Sequence, residues 1–521
     1  MDSDVLIVGA GPTGLMLANQ LIRRRVSVRI IDRHAGPSLQ TRALGVQART
    51  LEIYRKLGVI DRALELGRVG TGGNIWADGK LMAHIGLSDA GGAVTPYPYI
   101  LILGQDDNER ILGEKLRDLG GAVEWNTELT AFAQDDAGVA ATLKLPDGSQ
   151  RQHHSAWIGG CDGARSAVRE LSGIGFPGAP YEHVFFVADV EMTGSMVEGE
   201  LNVYLFREGF HLLFPMRGKD HWRVVGILPE QLRSQEVKSL DAVLPSLSDE
   251  AGSNLAVRSC SWFSTYRIHH RAAERFRDRR AFLAGDAAHI HSPVGAQGMN
   301  TGLQDAYNLA WKLALVVRGR ADPALLASYE AERMPVARKL LDTTDRAFRL
   351  VVSDNPLAGL MRTKVLARIA AFVINRQRMQ QTAFRVVSQT GITYRKSALS
   401  RTVEPMPESA PQAGDRFPWM TLQLGPDGPD EDLLDALDDL HFHILLFGQP
   451  APDDVIGELG ELVRVHVVPE HAANDRQLAD KHIPKPSFYL LRPDGHIGLA
   501  GMRPEPADVA EYLSETLGIW G

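Results

Sequence analysis

A glycine-rich turn near the start of the chain constrains the fold more than any other feature of the sequence. The apolar run 5–8 predicts a buried strand. Gly9, Gly11 and Gly14 follow it directly in the spacing G-x-G-x-x-G. A helical pattern comes next, and residues 26–31 predict a second strand. This strand–turn–helix–strand order predicts an α/β domain that binds a dinucleotide, with the pyrophosphate at the helix N-terminus.

The acidic residue Asp32 comes directly after the second predicted strand, about where such domains hold the ribose hydroxyls. A second stretch, Gly173, Gly175 and Gly178, repeats the glycine spacing. It follows a helix-like segment and contains Pro177, so it predicts a loop instead. The sequence therefore predicts one dinucleotide-binding unit and no separate nicotinamide domain.

Composition limits the class of protein. At about 150 residues per domain, 521 residues correspond to three or four domains, and 44% apolar with 23% charged residues is the balance of a globular protein. A net charge of −8 argues against nucleic acid as a partner. Two cysteines, Cys161 and Cys260, and no recognisable secretory signal or membrane-spanning run lead us to expect a cytoplasmic protein with no membrane partner.

Changes of pattern divide the chain. Short alternating segments between Phe185 and Leu228 predict a mostly antiparallel sheet, and a strong helical pattern returns after Ala281. A proline-rich linker then precedes a small α/β module with a hairpin turn at Asp494-Gly495. We expect the nucleotide-binding domain at 1–175, the inserted sheet domain at 176–280, the rest of the first domain with further helices at 281–400, and the C-terminal module at 411–521.

Two more motifs follow predicted strands. One contains Asp162-Gly163, with Arg165 and Ser166 nearby, and the other contains Gly285-Asp286. Together with the N-terminal turn, they stand in the order typical of class A flavoprotein monooxygenases, and over about residues 1–400 the sequence resembles this family of FAD-dependent aromatic hydroxylases. The C-terminal module resembles the thioredoxin-like domain appended to phenol hydroxylase. The resemblance implies a Rossmann-like FAD-binding domain, an inserted substrate-binding sheet domain and a C-terminal thioredoxin-like domain.

The resemblance also implies cofactors and their contacts. It implies bound FAD, with NADH or NADPH and molecular oxygen as cosubstrates. For Arg42 and Gln105, the alternative to FAD contact is simple exposure at the surface. For Asp162 and Asp286, the alternative to FAD contact is a helix-capping or turn-forming role. The residues that match FAD-binding positions or adjoin them are Gly9, Gly11, Gly14, Asp32, Arg33, Arg42, Gln105, Asp162, Gly285, Asp286, Gly298, Met299 and Asn300.

The segment 291–300 links the third motif to a long predicted helix. Its glycines and Pro293 predict a shaped loop whose amides and helix N-terminus face the flavin ring, where negative charge develops on reduction. His289 and His291 lie two residues apart but have no acidic or cysteine partner in the sequence nearby. We therefore expect no metal site.

By resemblance, the expected reaction is hydroxylation of a phenolic or polyketide-type aromatic substrate through a flavin C4a-hydroperoxide. The segment 45–47 has none of the acidic residues expected for a simple phenol site. Candidate catalytic residues are Pro293, Arg267 and His211. Candidate residues for the substrate wall are Tyr204, His211, Phe214, Trp222 and Pro293, although packing alone is an equally good interpretation of aromatic residues on strands.

Alternative functions are Baeyer–Villiger oxygenation of a polycyclic ketone, flavin binding without turnover, and a nicotinamide-dependent dehydrogenase. The C-terminal module contains no cysteine and so cannot exchange disulfides. We expect it to serve packing or oligomerisation, which leaves a homodimer open, with a regulatory or partner-binding surface as the alternative.

Overall fold

The computed structural model describes residues 1–38, 43–206, 209–233, 237, 239–245, 254–291, 297–352, 377–425, 428–452 and 460–520. Within these ranges, no helix is both long and apolar enough to cross a bilayer. The described chain forms two eight-stranded sheets, one five-stranded sheet and two small ones.

The first sheet, here called the nucleotide-binding sheet, begins with the predicted unit. Ser3–Val8 pairs in parallel with Val28–Ile31, and the helix Pro12–Arg23 connects them. The strand Gln150–Gly160 pairs in parallel on the other side of Ser3–Val8, and Ala281–Leu283 pairs in parallel beyond it. The remaining strands of this sheet are Arg277–Asp278, Val123–Glu124, Glu128–Gln134 and Val139–Lys144.

Helices cover this sheet and extend beyond it. Apolar residues recur through Gly298–Val317 at helical spacing and are almost all buried, which explains why this long helix packs centrally against Pro12–Arg23. The other helices of the first 400 residues are Ala48–Leu57, Ile60–Leu66, Leu87–Gly91, Gln105–Asp118, Ala167–Leu171, Ala327–Val352 and Gln377–Val387. A small sheet of Gly45–Val46, Arg68–Gly70 and Ile100–Ile102 lies alongside.

The second sheet, here called the large sheet, is antiparallel except for one parallel pair. The sequence predicts its central strands, but it also contains Gly72–Ala77 and Lys80–Gly86 from the first 100 residues. In spatial order its strands are His289–Ile290, Ala256–Ala272, Gly178–Thr193, His221–Ile227, Gly209–Pro215, Leu201–Phe206, Gly72–Ala77 and Lys80–Gly86.

The large sheet has two buried faces. On the inner face, side chains pack towards Leu44 and Ile102 of the first domain. The residues of this face include Phe185, Phe210, Leu212, Phe214, Val225, Ile227 and Tyr266. On the outer face, side chains pack against Leu240, Val243 and Leu255. The residues of this face include Phe186, Tyr204, Leu213, Trp222 and Val224. Because successive side chains of a strand point to opposite faces, neighbouring residues here have different surroundings.

The C-terminal unit has a mixed five-stranded sheet of Arg401–Thr402, Ile497–Gly501, Ser487–Leu491, Phe442–Phe447 and Val463–Val468. The hairpin turn predicted at Asp494-Gly495 is confirmed, with Gly495 at a φ of 74°. The thioredoxin-like fold of this unit and the domain boundaries stay predictions. Its other elements are Thr421–Gln423, Asp430–Asp432, Leu433–Ala436, Ala472–Asp480 and Pro506–Glu511.

Ion pairs join the C-terminal unit to the helices of the first domain. Asp439 pairs at 2.9 Å with Arg23, the last residue of the helix Pro12–Arg23. Glu52 lies between Arg49 and Arg416, and its pKa is lowered because these two cations outweigh the effect of burial. This interface is therefore built from buried charges as well as apolar contacts.

Candidate cofactor and substrate site

The three motifs meet at one edge of the nucleotide-binding sheet. Val8 is opposite both Ile31 and Gly160, and Gly160 is opposite Leu283, so four parallel strands end at the same level. The residues after these ends carry the predicted site, and this carboxyl edge is where α/β sheets bind ligands. Residues more than 100 positions apart in the sequence therefore lie in contact.

The glycines of the N-terminal turn differ in their surroundings. A Cβ on Gly9 would lie 2.4 Å from the Cys161 carbonyl oxygen, and the φ of Gly9 is 101°. A Cβ on Gly14 would lie 1.9 Å from the Gly9 carbonyl oxygen. By contrast, a Cβ on Gly11 would meet no atom within 4 Å. The first and third glycines therefore allow close backbone packing, and the second borders open space beside the helix N-terminus.

Asp32 supports the glycine turn. Its Oδ2 accepts the Ala10 N–H at 2.8 Å, and its Oδ1 accepts the His34 N–H at 2.8 Å. Arg33 is exposed beside it. Gln105 begins the helix Gln105–Asp118 and donates to the Glu109 carboxylate at 2.9 Å. Asp32 and Gln105 thus have protein partners but stay partly accessible at the edge.

The second motif caps a helix. Asp162 accepts the Ser166 hydroxyl at 2.5 Å and the Ala167 N–H at 2.6 Å, at the start of Ala167–Leu171. Burial raises the pKa of this carboxyl. These contacts match the capping alternative for Asp162, so it orders the loop next to the glycine turn. Gly163 beside it has a φ of 78° and open space around its missing Cβ.

The third motif lies where the nucleotide-binding sheet and the large sheet join. Ala281–Leu283 belongs to the nucleotide-binding sheet, and His289–Ile290 pairs with the last strand residues of Ala256–Ala272 in the large sheet. Gly285 packs against the N-terminal helix, since a Cβ there would lie 2.6 Å from the Thr13 hydroxyl. Asp286 is exposed, although Gly285 and Ala287 on either side are buried. Its carboxylate is therefore presented at the surface of the edge.

The start of the long helix is fixed to a neighbouring strand. The Asn300 side chain donates to the Gly45 carbonyl at 2.8 Å and accepts the Gln47 N–H at 2.9 Å. Gly298 and Met299 are partly exposed in the first turn of that helix. Asn300 thus orients the helix N-terminus relative to the small sheet. Two predicted site residues, Arg42 and Pro293, lie outside the described residues.

The large sheet separates the predicted substrate residues. Phe214 is on the inner face, in contact with residues that pack towards Leu44. Tyr204 and Trp222 are on the outer face, with Tyr204 stacked on Trp76 at 5.5 Å between ring centroids. His211 is fully buried on that same side, with its ring 4.6 Å from Phe206. The register therefore places Tyr204, His211 and Trp222 on the face opposite the inner face. The sequence alone does not reveal which face of the sheet packs towards the first domain.

Two arginines of the large sheet contrast with each other. Arg267, a predicted catalytic residue, is exposed. Arg223, which sequence reasoning missed, is 3% exposed and forms a two-point ion pair with Asp189, with both N···O distances 2.6 Å. Its guanidinium also lies 5.2 Å from the Trp262 ring centroid. Alternation along His221–Ile227 puts Arg223 on the inner face, two residues from Val225.

His289 has an acidic partner that the sequence did not suggest. Its Nε2 lies 2.7 Å from the Asp305 carboxylate, which also accepts from Arg333 at 2.7 Å. The adjacent guanidinium disfavours a metal cation at this carboxylate. Among the described residues, no group of three or more histidine, cysteine or acidic side chains is arranged to hold a metal ion.

The residues at the carboxyl edge fit the ADP half and the ribityl chain of FAD. Gly11 leaves room for a pyrophosphate beside the helix N-terminus, where the described residues provide no capping side chain. Asp286 presents acceptor oxygens for hydroxyl groups. The inner face of the large sheet supplies an apolar wall beyond the junction of the two sheets.

Comparison with known proteins agrees with this geometry. The FAD binding domain family model matches residues 2–344. The 6-methylpretetramide 4-monooxygenase of Streptomyces rimosus is 35% identical, over 96% of this chain and 91% of the relative. The OxyS anhydrotetracycline hydroxylase from the same species superposes with a TM-score of 0.79 at 28% identity, over the whole of both chains. Aklavinone-11 hydroxylase, in its complex with FAD and aklavinone, gives 0.79 at 25% identity over 99% of each chain.

The chain therefore belongs to the class A flavoprotein monooxygenases, the FAD-dependent aromatic hydroxylases. The FAD-binding fold and the FAD cofactor that the motifs imply are confirmed. Enzymes of this class use NADH or NADPH and molecular oxygen as cosubstrates.

Proposed function

We propose that the protein hydroxylates a multi-ring aromatic substrate of the polyketide type, bound between the carboxyl edge and the inner face of the large sheet. The inner face supports this proposal, because apolar and aromatic side chains from several strands form one broad wall. A planar aromatic molecule buries most of its area against such a wall. The relatives named for 6-methylpretetramide and anhydrotetracycline, and the structure containing aklavinone, agree with this size of substrate.

The cofactor, when bound, would accept hydride from NADH or NADPH and supply one oxygen atom of dioxygen to the substrate ring. The chain's own residues would bind FAD and orient it. Amides around Gly11 and the carboxylate of Asp286 hold the phosphates and the hydroxyl chain. The residues proposed to contact FAD are those of the carboxyl edge with Gly298 and Met299, whereas Asn300 and Asp162 order the backbone around them.

The inner face excludes water and provides a cation. Arg223 is held in one orientation by Asp189, and a buried guanidinium near a substrate oxygen favours its anionic form. A phenolate or enolate is more electron-rich at the ring carbons than its neutral form, so this contact activates the substrate for hydroxylation. Tyr204, His211 and Trp222 support the outer face of the same sheet and take no part in this contact.

The cofactor assignment is tested with Asp286→Ala. We expect the purified variant to lose tightly held FAD, measured as the ratio of flavin absorbance to protein, while its apoprotein melts near the temperature of the wild-type apoprotein. Full flavin occupancy in the folded variant would contradict the assignment of Asp286.

The substrate class is tested by adding simple phenols and multi-ring aromatic polyketides to the holoenzyme and measuring NADH and NADPH oxidation. We expect the multi-ring compounds to give the larger stimulation and a product heavier by one oxygen atom. An ester product would indicate Baeyer–Villiger oxygenation, and no stimulation by either group would indicate flavin binding without turnover. The comparisons favour neither alternative.

A further inference from the structure

A single buried carboxylate contacts both ends of the segment that carries Asp286. Asp305 is 0% exposed on the long helix Gly298–Val317. Its Oδ2 accepts the Gly285 N–H at 3.1 Å and lies 2.7 Å from Nε2 of His289. Gly285 follows a strand of one sheet, and His289 begins a strand of the other. The position of Asp286 between them thus depends on Asp305.

Asp305 is itself held by a buried cation. Arg333, also 0% exposed, donates from Nε to Oδ1 of Asp305 at 2.7 Å. Its Nη1 donates to the Tyr394 hydroxyl at 2.9 Å, and its Nη2 donates to the Thr301 carbonyl at 3.2 Å. Burial alone would raise the pKa of Asp305, but Arg333 and His289 outweigh it and lower that pKa. The carboxylate is therefore ionised and can accept all three contacts.

The C-terminal unit packs on the far side of this arginine. The His496 ring lies 4.3 Å from the Tyr394 ring, measured between centroids, and the Arg492 guanidinium lies 5.3 Å from that same ring. Arg492 also donates to Glu332 at 2.6 Å and 3.0 Å, and Glu332 precedes Arg333 in the helix. The hairpin of Ser487–Leu491 and Ile497–Gly501 thus touches both the tyrosine and the helix that position Arg333.

We propose that Asp305 is a positioning residue for FAD binding, and that the C-terminal hairpin helps to fix it through Tyr394 and Arg333. This proposal rests on the assignment of Asp286 to FAD in the proposed function. It gives the cysteine-free C-terminal unit a role in cofactor binding that requires no redox chemistry. Each link is a buried contact with defined partners, so loosening a distant link should weaken FAD binding.

The decisive experiment compares two tyrosine variants of the full chain. Tyr394→Phe removes the hydroxyl that accepts from Arg333. Tyr512→Phe, the matched control, removes another buried hydroxyl of the C-terminal region, which donates to the Leu399 carbonyl at 2.8 Å and has no contact with Arg333. Apoprotein is prepared from each, FAD is titrated with flavin fluorescence as the readout, and the melting temperature of each apoprotein is measured.

Arg333 is charged, so the hydrogen bond that it donates to Tyr394 is stronger than a neutral one, and transmission of part of its loss to the FAD site changes that equilibrium about three- to fivefold. We expect Tyr394→Phe to raise the Kd for FAD by about that factor and Tyr512→Phe to change it less than about twofold. Both apoproteins should remain folded, with melting temperatures below that of the wild-type apoprotein. Equal FAD affinities in the two variants would overturn the proposed link to the C-terminal unit.

A second variant tests Asp305 directly. Asp305→Asn has one side-chain oxygen in place of two and cannot satisfy Arg333 together with Gly285 and His289, so we expect the Kd for FAD to rise about tenfold or more. A folded Asp305→Asn protein with wild-type affinity would overturn its positioning role. Should this variant fail to fold, the tyrosine pair decides.

Asp286→Ala distinguishes failure of this proposal from failure of the proposed function. If Asp286→Ala loses FAD and Tyr394→Phe binds it as Tyr512→Phe does, only the link from the C-terminal unit is wrong. If Asp286→Ala binds FAD as tightly as the wild-type protein, the site assignment itself is wrong, and this proposal falls with it.

Discussion

In the proposed site, the carboxyl edge of the nucleotide-binding sheet faces FAD and the inner face of the large sheet faces the substrate, and these two regions are built differently. At the edge, backbone lies against backbone. At Gly14, for example, an added Cβ would lie 1.9 Å from a carbonyl oxygen. On the inner face, side chains from separate strands such as Phe185 and Phe214 supply the surface. A side chain can be exchanged with local consequences, whereas close backbone packing cannot be relaxed without moving whole elements.

This difference explains how one fold can accept different substrates. In the proposed site, the edge would bind FAD, a constant group, through amides and the exposed carboxylate of Asp286, and its close backbone packing leaves its geometry little freedom. In the proposed site, the inner face would select the substrate through the size of its apolar side chains. We therefore expect substitutions at the edge to change cofactor binding and substitutions on the inner face to change substrate binding.

The largest expected effect is at the edge. Gly14→Ala forces a Cβ against the Gly9 carbonyl oxygen, so we expect loss of bound FAD and a decrease of about 2–3 kcal/mol in the free energy of unfolding. Chemical denaturation and the flavin-to-protein absorbance ratio measure the two quantities. Wild-type stability and flavin content would contradict the close packing described here.

Gly11→Ala is the matched control within the same turn. Its Cβ would meet no protein atom within 4 Å, so the free energy of unfolding should change by less than about 0.5 kcal/mol. The new methyl group occupies the space assigned to the pyrophosphate, and the Kd for FAD should rise about tenfold. Unchanged FAD affinity in this variant would place the pyrophosphate elsewhere.

An intermediate effect is expected on the large sheet. Phe214→Leu shortens a side chain of the inner face, and Trp222→Phe shortens one of the outer face. Both should cost about 1–2 kcal/mol of stability. Only Phe214→Leu should raise the KM for the aromatic substrate, by about fivefold, with KM obtained from NADH or NADPH oxidation rates. An equal increase in KM for Trp222→Phe would show that the assignment of faces is wrong.

The smallest expected effect concerns the cation of the inner face. Arg223→Lys keeps the positive charge but loses the two-point geometry towards Asp189, so we expect kcat to fall about threefold with little change in FAD affinity. The pH dependence of the substrate's absorption spectrum in the bound state reports its ionisation. Because lysine retains the positive charge, unchanged ionisation of the bound substrate together with an unchanged kcat in Arg223→Lys would exclude Arg223 from substrate activation.

The same contrast explains what the sequence could predict. The sequence predicts the loops that contain Gly9, Asp162 and Gly285 because short motifs after strands fix local backbone geometry, and parallel pairing brings those strand ends together. The contacts of these residues with FAD stay predictions. Asp162 accepts the Ala167 N–H, which agrees with the capping role that the sequence leaves open as the alternative to FAD contact.

The substrate wall was less predictable because it depends on long-range register. Tyr204, His211 and Trp222 are aromatic or polar residues on strands, which makes them candidates for a substrate wall, but nothing in a single strand shows which face meets the other domain. Arg223 and Asp305 were missed for a related reason, since their partners Asp189 and Gly285 lie 34 and 20 residues away along the chain.

The central claim is that FAD lies along the carboxyl edge with its ring facing the inner face of the large sheet. A crystal structure of the holoprotein tests it most directly. We predict pyrophosphate density beside Gly11, the hydroxyl chain within hydrogen-bonding distance of Asp286, and the ring on the side of Phe214. Density for the ring on the side of Trp222, or with no contact to the segment 285–289, would contradict the account.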